Sequence, residues 1–141
     1  MKHPMYVTAD DAVKAVRTGD HIHLSSVASV PHILIESLCR RADAGEVRDL
    51  HFHHFHTEGP APYAEPKYEG IFFDQGFFIG PNVRADANAG YADYLPVHLS
   101  ESQKLYRSGA LRCDVAMVQV SLPDENGMFS LGTSVDCSLA A

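Results

Sequence analysis

The sequence has 141 residues, 45% of them apolar, and a formal net charge of −7. That length suits one domain with a real core, the acidic balance argues against a nucleic-acid partner, and no apolar run approaches the ~20 residues of a membrane span. Met1-Lys2-His3-Pro4 lacks the apolar core of a signal peptide, so a cytoplasmic location is the default expectation.

Thr8 and Asp11 have capping-box spacing and open a predicted helix over Ala9–Arg17, with Ala12, Val13 and Val16 on one face. Thr18-Gly19-Asp20 ends it. His21–Leu24 reads as a first strand, followed by a loop of small residues, Ser25–Val30. Pro31 suits the first position of a helix because its φ is fixed and it lacks an N–H. The buried stripe of that helix is predicted as Ile33, Leu34, Leu38 and Cys39, with Gly45 just beyond its end.

Leu50–His56 is the second predicted strand. Alternation puts His51 and His53 on one face with Phe55, and Phe52, His54 and His56 on the other. A His-x-His pair on a strand can hold zinc, because i and i+2 point the same way. The pair needs a third ligand, which His21-x-His23 on a neighbouring strand is placed to supply; the alternative is a strand whose histidines bond to the loops around them. Thr57–Pro66 is too rich in proline for a helix and is long for a plain connection.

Ile71-Phe72-Phe73 and Phe77-Phe78-Ile79 flank Asp74-Gln75-Gly76. A helix is predicted from Pro81 to Ala89, closed by Gly90 at its C-cap. Tyr94–Leu99 reads as a strand. Ser100 and Gln103 have the spacing of a capping box for the next helix, which turns Leu105 and Tyr106 inward and stops at Gly109. Val115–Val120 is a β-branched apolar run, expected as a buried parallel strand. Pro123 ends the pairing, Asp124–Gly127 is a tight turn, Met128–Leu131 is extended, and Ser134 and Asp136 look like a helix start.

Strand, small-residue loop and helix recur without sequence repeats. The expected fold is α/β, with an open, mostly parallel sheet and helices on both faces. Ligands of such sheets bind at the carboxyl ends of strands. Ser25, Ser26, Thr57 and Glu58 are therefore candidate substrate contacts, and Arg84, near a helix start, is a candidate anion contact. Three cysteines at wide spacing give no disulfide framework and no CxxC metal pair. Cys39 and Cys113 read as small buried hydrophobes, and Cys137 sits near a helix start, where a thiol pKa can be lowered.

Ser121, Pro123, Asp124 and Gly127, followed by Ser130-Leu131-Gly132, Ser134, Val135 and Asp136, make a long ordered motif. It resembles the N-terminal half of the acetyl-CoA hydrolase/transferase family, which includes acetate and 4-hydroxybutyrate CoA-transferases. Gly80, Arg84 and Asn88-Ala89-Gly90-Tyr91-Ala92-Asp93-Tyr94 fit the same pattern, and the resemblance runs from about Thr8 to Asp136. Leu122, Asn126 and Arg112 depart from it, as does a Ser25–Val30 loop without glycine.

The resemblance implies transfer of CoA from an acyl-CoA to a short-chain carboxylate through a glutamyl-CoA thioester. It implies CoA thioester as substrate with no bound cofactor, and a homo-oligomer. It also places the catalytic glutamate in a C-terminal half, or a partner subunit, outside this chain, so that residues 1–141 are one incomplete domain and inactive alone. Two other readings stay open: a small zinc protein using His51 and His53, and a non-catalytic interaction half-domain.

Overall fold

Thr8 starts the first element of a computed structural model that describes residues 6–141. The Met1–Pro4 segment lies outside the described residues. Thr8 Oγ1 accepts the Asp11 N–H at 3.1 Å and caps helix α1 (Ala9–Ala12). The helix tightens into a 3₁₀ turn at Val13–Ala15 and does not reach Arg17. Val16 turns extended, and the guanidinium of Arg41 takes the Val13 and Val16 carbonyls that further helix would have used. Val13 and Val16 are buried as expected; Ala12 is exposed.

Strand β1 (His21–Leu24) feeds helix α2 (His32–Asp43). Pro31 stands at the N-cap, one position earlier than expected. The buried stripe is Ile35, Leu38, Cys39 and Ala42, which keeps i, i+3, i+4, i+7 spacing. Ile33 is 71% exposed and is no part of it. Strand β2 is Leu50–His54, shorter than predicted. Two 3₁₀ turns, Pro62–Ala64 and Pro66–Tyr68, carry the chain to strand β3 (Phe72–Gly76).

Asp74-Gln75-Gly76, to which the sequence assigned no element, thus lies within this strand. Asp74 enters the interior because His54 on β2 bonds to it. Gly76 leaves room beside that pair: a Cβ there would sit tightly, 3.0 Å from the Phe78 carbonyl oxygen and 3.3 Å from His54 Cε1. Helix α3 (Arg84–Ala89) begins three residues later than Pro81, and Gly90 closes it at φ 89.

Strand β4 is Ala92–Tyr94, displaced from the expected Tyr94–Leu99. Leu95 N–H still reaches the Gly76 carbonyl, and Pro96 has no N–H to continue. Helix α4 (Leu99–Arg107) follows His98, so Ser100 is not its cap. Gln103 does not close a capping box; its side-chain amide donates to the Asp136 carbonyl.

Strand β5 is only Val115–Met117. It is an edge strand, and Ala116 is exposed, where a longer buried strand was expected. The ladder stops because Ser25 Oγ captures the Gln119 N–H at 3.0 Å. Beyond it, the motif residues tie a loop to itself. Ser121 N–H donates to the Ser130 carbonyl, and Asp124 Oδ1 accepts the Asn126 and Met128 N–H groups at 2.8 Å each. Gly127 and Gly132 take φ 76 and 65. Pro123 sits in this loop, and no strand forms at Met128–Leu131. Nor does a helix form at Ser134; Asp136 Oδ1 instead caps a single terminal turn through the Cys137 and Ser138 N–H groups.

The five strands are all parallel, in the order β4-β3-β2-β1-β5. One face carries Ile22, Leu24, Leu50, Phe52 and Phe72 against Ile35 and Leu38 of α2. Full burial of each such side chain is worth roughly 1.5–3 kcal/mol. The other face carries His21, His23, His51 and His53. Tyr106 of α4 closes over it, in a smaller cluster with Phe77 and Cys137. Helices therefore cover both faces. Among the described residues, no helix is long and apolar enough to cross a membrane.

Candidate functional site

The chain runs outward from β1 through β2 and β3 to β4, then α4 returns it to β5 on the far side of β1. The direction of winding reverses between β1 and β5. In open α/β sheets, the crevice outside the carboxyl ends of strands at such a reversal is where ligands bind.

The loop Ser25–Val30 fills that position. Ser25 is fully buried; its hydroxyl donates to the Ser29 carbonyl at 2.5 Å while accepting Gln119 N–H. Ser26 Oγ accepts the Phe55 N–H at 3.0 Å, and the Ser26 carbonyl accepts the Ser134 hydroxyl at 2.8 Å. Thr57 shares a hydrogen with the Tyr63 hydroxyl at 2.8 Å and accepts from the Asn82 amide at 3.1 Å. All three hydroxyls turn inward; Ser25 and Ser26 tie the carboxyl end of β1 to those of β5 and β2, and Thr57 ties the loop after β2 to Tyr63 and Asn82. Val27 pairs with Thr57 and holds φ 55, a left-handed conformation costly for a β-branched residue.

Ser25→Ala is expected to cost about 1–3 kcal/mol, since both loop bonds lose their shared hydroxyl. Urea melts of the two proteins measure it. A loss below about 0.5 kcal/mol would show that the hydroxyl does not hold the loop.

Glu58 is exposed beside this loop, and Gly59, at φ 77, lies against the His32 ring. Arg84 stands at the first position of α3, exposed, with Nη2 reaching the Ile79 carbonyl at 3.5 Å. A cleft of ≈ 510 Å³ opens over the loop, lined by Val27, Ala28, Leu99 and Thr133 to Asp136. A second hollow of ≈ 270 Å³ lies between Val30–Leu34 and Val118–Gln119. Both belong to the β1/β5 reversal, and the larger falls in the size range of small-ligand pockets.

The histidine face is a separate feature. His21 stacks on His51 at 4.4 Å, and His51 stacks on Phe73 at 4.8 Å. His53 Nε2 lies 2.9 Å from His21 Nδ1, whereas His51 Nε2 turns to Asp49 and Nδ1 to Gln75. His51 and His53 thus turn their ring nitrogens to different partners and share no focus in this arrangement. Burial pushes the His53 imidazole down to about 3, helped by the neighbouring imidazoles of His21 and His51. Burial likewise pushes His23 down to about 4. On the opposite face, His54 Nε2 meets Asp74 Oδ1 at 2.6 Å, with both side chains buried.

Sequence reasoning missed one cluster altogether. The His23, Asp136 and Cys137 ligand atoms lie within 4.8 Å of one another. His23 Nδ1 meets the Tyr106 hydroxyl at 3.0 Å and Nε2 meets Ser138 Oγ at 2.9 Å. The Cys137 thiol is not lowered, as a helix start would make it, but pushed up to about 12, by burial first and by the adjacent Asp136 second. Burial also raises Cys39, to about 11. The signal for the cluster was His21-x-His23, whose second member faces the sheet side that α4 covers.

Parallel strands with helices on both faces and a cleft at the winding reversal define an open α/β domain. The chain matches the acetyl-CoA hydrolase/transferase N-terminal domain over residues 3–141, and it belongs to that family. It is 35% identical over 132 residues to a succinyl-CoA:acetate/propanoyl-CoA:succinate CoA transferase of Fasciola hepatica, covering 94% of this chain and 27% of that protein. It is 30% identical over 130 residues to a 4-hydroxybutyrate coenzyme A transferase of Clostridium kluyveri, covering 92% and 30%. The crystal structure of RipA from Yersinia pestis superposes with a TM-score of 0.78 at 24% identity, over 89% of this chain and 31% of that one. The 4-hydroxybutyrate CoA-transferase of Porphyromonas gingivalis gives 0.73 at 24%, over 95% and 29%. The chain thus spans less than a third of the length of these relatives.

Proposed function

We propose that this chain is the N-terminal part of a CoA-transferase that moves CoA between an acyl-CoA and a short-chain carboxylate. A glutamate outside these residues attacks the thioester carbonyl and releases the CoA thiolate. The thiolate then attacks the glutamyl carbonyl, giving glutamyl-CoA and freeing the first carboxylate; the second carboxylate reverses the sequence. The carrying observation is the cleft over Val27 and Ala28 at the β1/β5 reversal, in a chain whose relatives are named CoA transferases. Its largely aliphatic wall suits the acyl chain or the thin pantetheine arm rather than a phosphate.

The test is a CoA-transfer assay of the longer polypeptide that carries this chain, with acetyl-, succinyl- and butyryl-CoA as donors. Transfer to acetate is expected, together with a covalent CoA adduct that hydroxylamine discharges. Val27→Trp, which fills the cleft, is expected to raise KM for acyl-CoA about tenfold, or ~1.4 kcal/mol. Residues 1–141 alone are expected to transfer nothing. An unchanged KM in a folded Val27→Trp protein would remove this cleft from the pocket, and absence of any transfer would refute the activity.

A further inference from the structure

We propose that His23, Asp136 and Cys137 form a binding site for one borderline-soft divalent cation of the zinc class. The site borders the cleft proposed for the acyl-CoA, which Asp136 also lines, but its test needs no transfer activity. Its donors are one imidazole nitrogen, one carboxylate oxygen and one sulfur, a set that suits zinc better than magnesium or calcium. Their ligand atoms already lie within 4.8 Å of one another. Bond lengths of about 2.0–2.3 Å around a tetrahedral zinc require separations of roughly 3.4–3.7 Å. The cluster needs a contraction of about an ångström, on a terminal turn that carries two of the three donors.

His23 is the fixed member. It sits on β1 with its side chain fully buried. Tyr106 holds its far nitrogen at 3.0 Å. With Nδ1–H donating to that hydroxyl, Nε2 keeps a lone pair on the side of the terminal turn, where its present partner is the Ser138 hydroxyl, the outer-shell arrangement that orients metal-binding histidines. The Ser138 hydroxyl lies 2.9 Å from His23 Nε2 and 3.2 Å from Asp136 Oδ1. It bridges two of the donors where a cation would do so, and rotation about its Cα–Cβ bond frees both. Cys137 is fully buried, while Asp136 also lines the 510 Å³ cleft. A hydrated ion therefore has a route in from the cleft.

The experiment is a titration of the purified chain with Co²⁺, followed by Zn²⁺. One equivalent of Co²⁺ is expected to bind with a near-ultraviolet thiolate charge-transfer band and the strong visible bands of tetrahedral cobalt, and Zn²⁺ is expected to displace it. Cys137→Ser and His23→Gln should abolish the thiolate band, while Cys113→Ser and His53→Gln should keep it. Tyr106→Phe should weaken binding by about 10–100-fold. Zinc X-ray absorption on the unaltered chain guards against variants that fail to fold. It should show one sulfur at about 2.3 Å beside nitrogen or oxygen at about 2.0–2.1 Å. The proposal is overturned if the folded chain binds neither ion saturably, if the band survives Cys137→Ser, or if the zinc shell holds no sulfur.

Discussion

Asp74→Ala is expected to lower the free energy of unfolding by ~3–5 kcal/mol. Asp74 and His54 are 1% and 0% exposed, and their contact is 2.6 Å. Each already leaves one polar atom, Asp74 Oδ2 and His54 Nδ1, without a protein partner. Truncating the carboxylate strands the second imidazole nitrogen as well, inside a core shared with Phe52, Tyr63 and Phe72. A domain of this size holds only about 5–15 kcal/mol in reserve, so the variant should be partly unfolded near 37 °C. Replacing both partners by leucine should cost far less than Asp74→Ala alone, because a buried polar pair is expensive to break and cheap to remove whole. Chemical denaturation of the three proteins checks this. A single-variant loss under about 1 kcal/mol would mean that water already reaches the pair.

The same pair shows why one strand could not be assigned from the sequence. Asp74-Gln75-Gly76 has the composition of a turn, and its burial depends on His54, which lies on another strand. Local composition carries no trace of that contact. Strands β1 and β2, and the caps at Thr8 and Gly90, were legible because each is decided within a few residues. Ile33 and Ile35 are equally apolar, and which of them faces the sheet depends on whether Pro31 stands at the cap or inside the helix. The carboxyl-end rule located the loop around Ser25, Ser26 and Thr57, but hydroxyl-bearing residues do not reveal whether they face a ligand or their own backbone. Here all three turn inward, and apolar Val27 and Ala28 meet the cleft. The His23, Asp136 and Cys137 cluster joins the first strand to the last turn, a juxtaposition that only the return of α4 creates.

Acid is expected to destabilise the protein well before its carboxylates are protonated, and the sign follows from His53. Its side chain is 1% exposed, and burial, followed by the charges of His21, His51, His54 and His23, holds it down at about 3. The unfolded chain returns it to the ordinary imidazole value of about 6.5. Between those values the unfolded state binds the extra proton, so stability must fall as the pH falls. The contribution is complete above about pH 6.5 and is lost progressively down to about 3. At pH 5 the loss from one such group is about 2 kcal/mol, set by the distance from 6.5 alone. His23, held at about 4 by burial, adds a loss of the same sign. The carboxylates held low, Asp10, Asp11 and Asp114, begin to matter only nearer their ordinary value of about 3.9, so pH 6.5 to 5 isolates the imidazoles. The melting temperature should therefore be flat between about pH 7 and 8 and fall steeply below 6.5, with His53→Gln reducing the slope by the equivalent of one proton. Parallel curves for the two proteins would show that His53 is protonated equally in both states. The close contact of His53 Nε2 with His21 Nδ1 at 2.9 Å argues otherwise, since protonating both rings would set two N–H donors against each other.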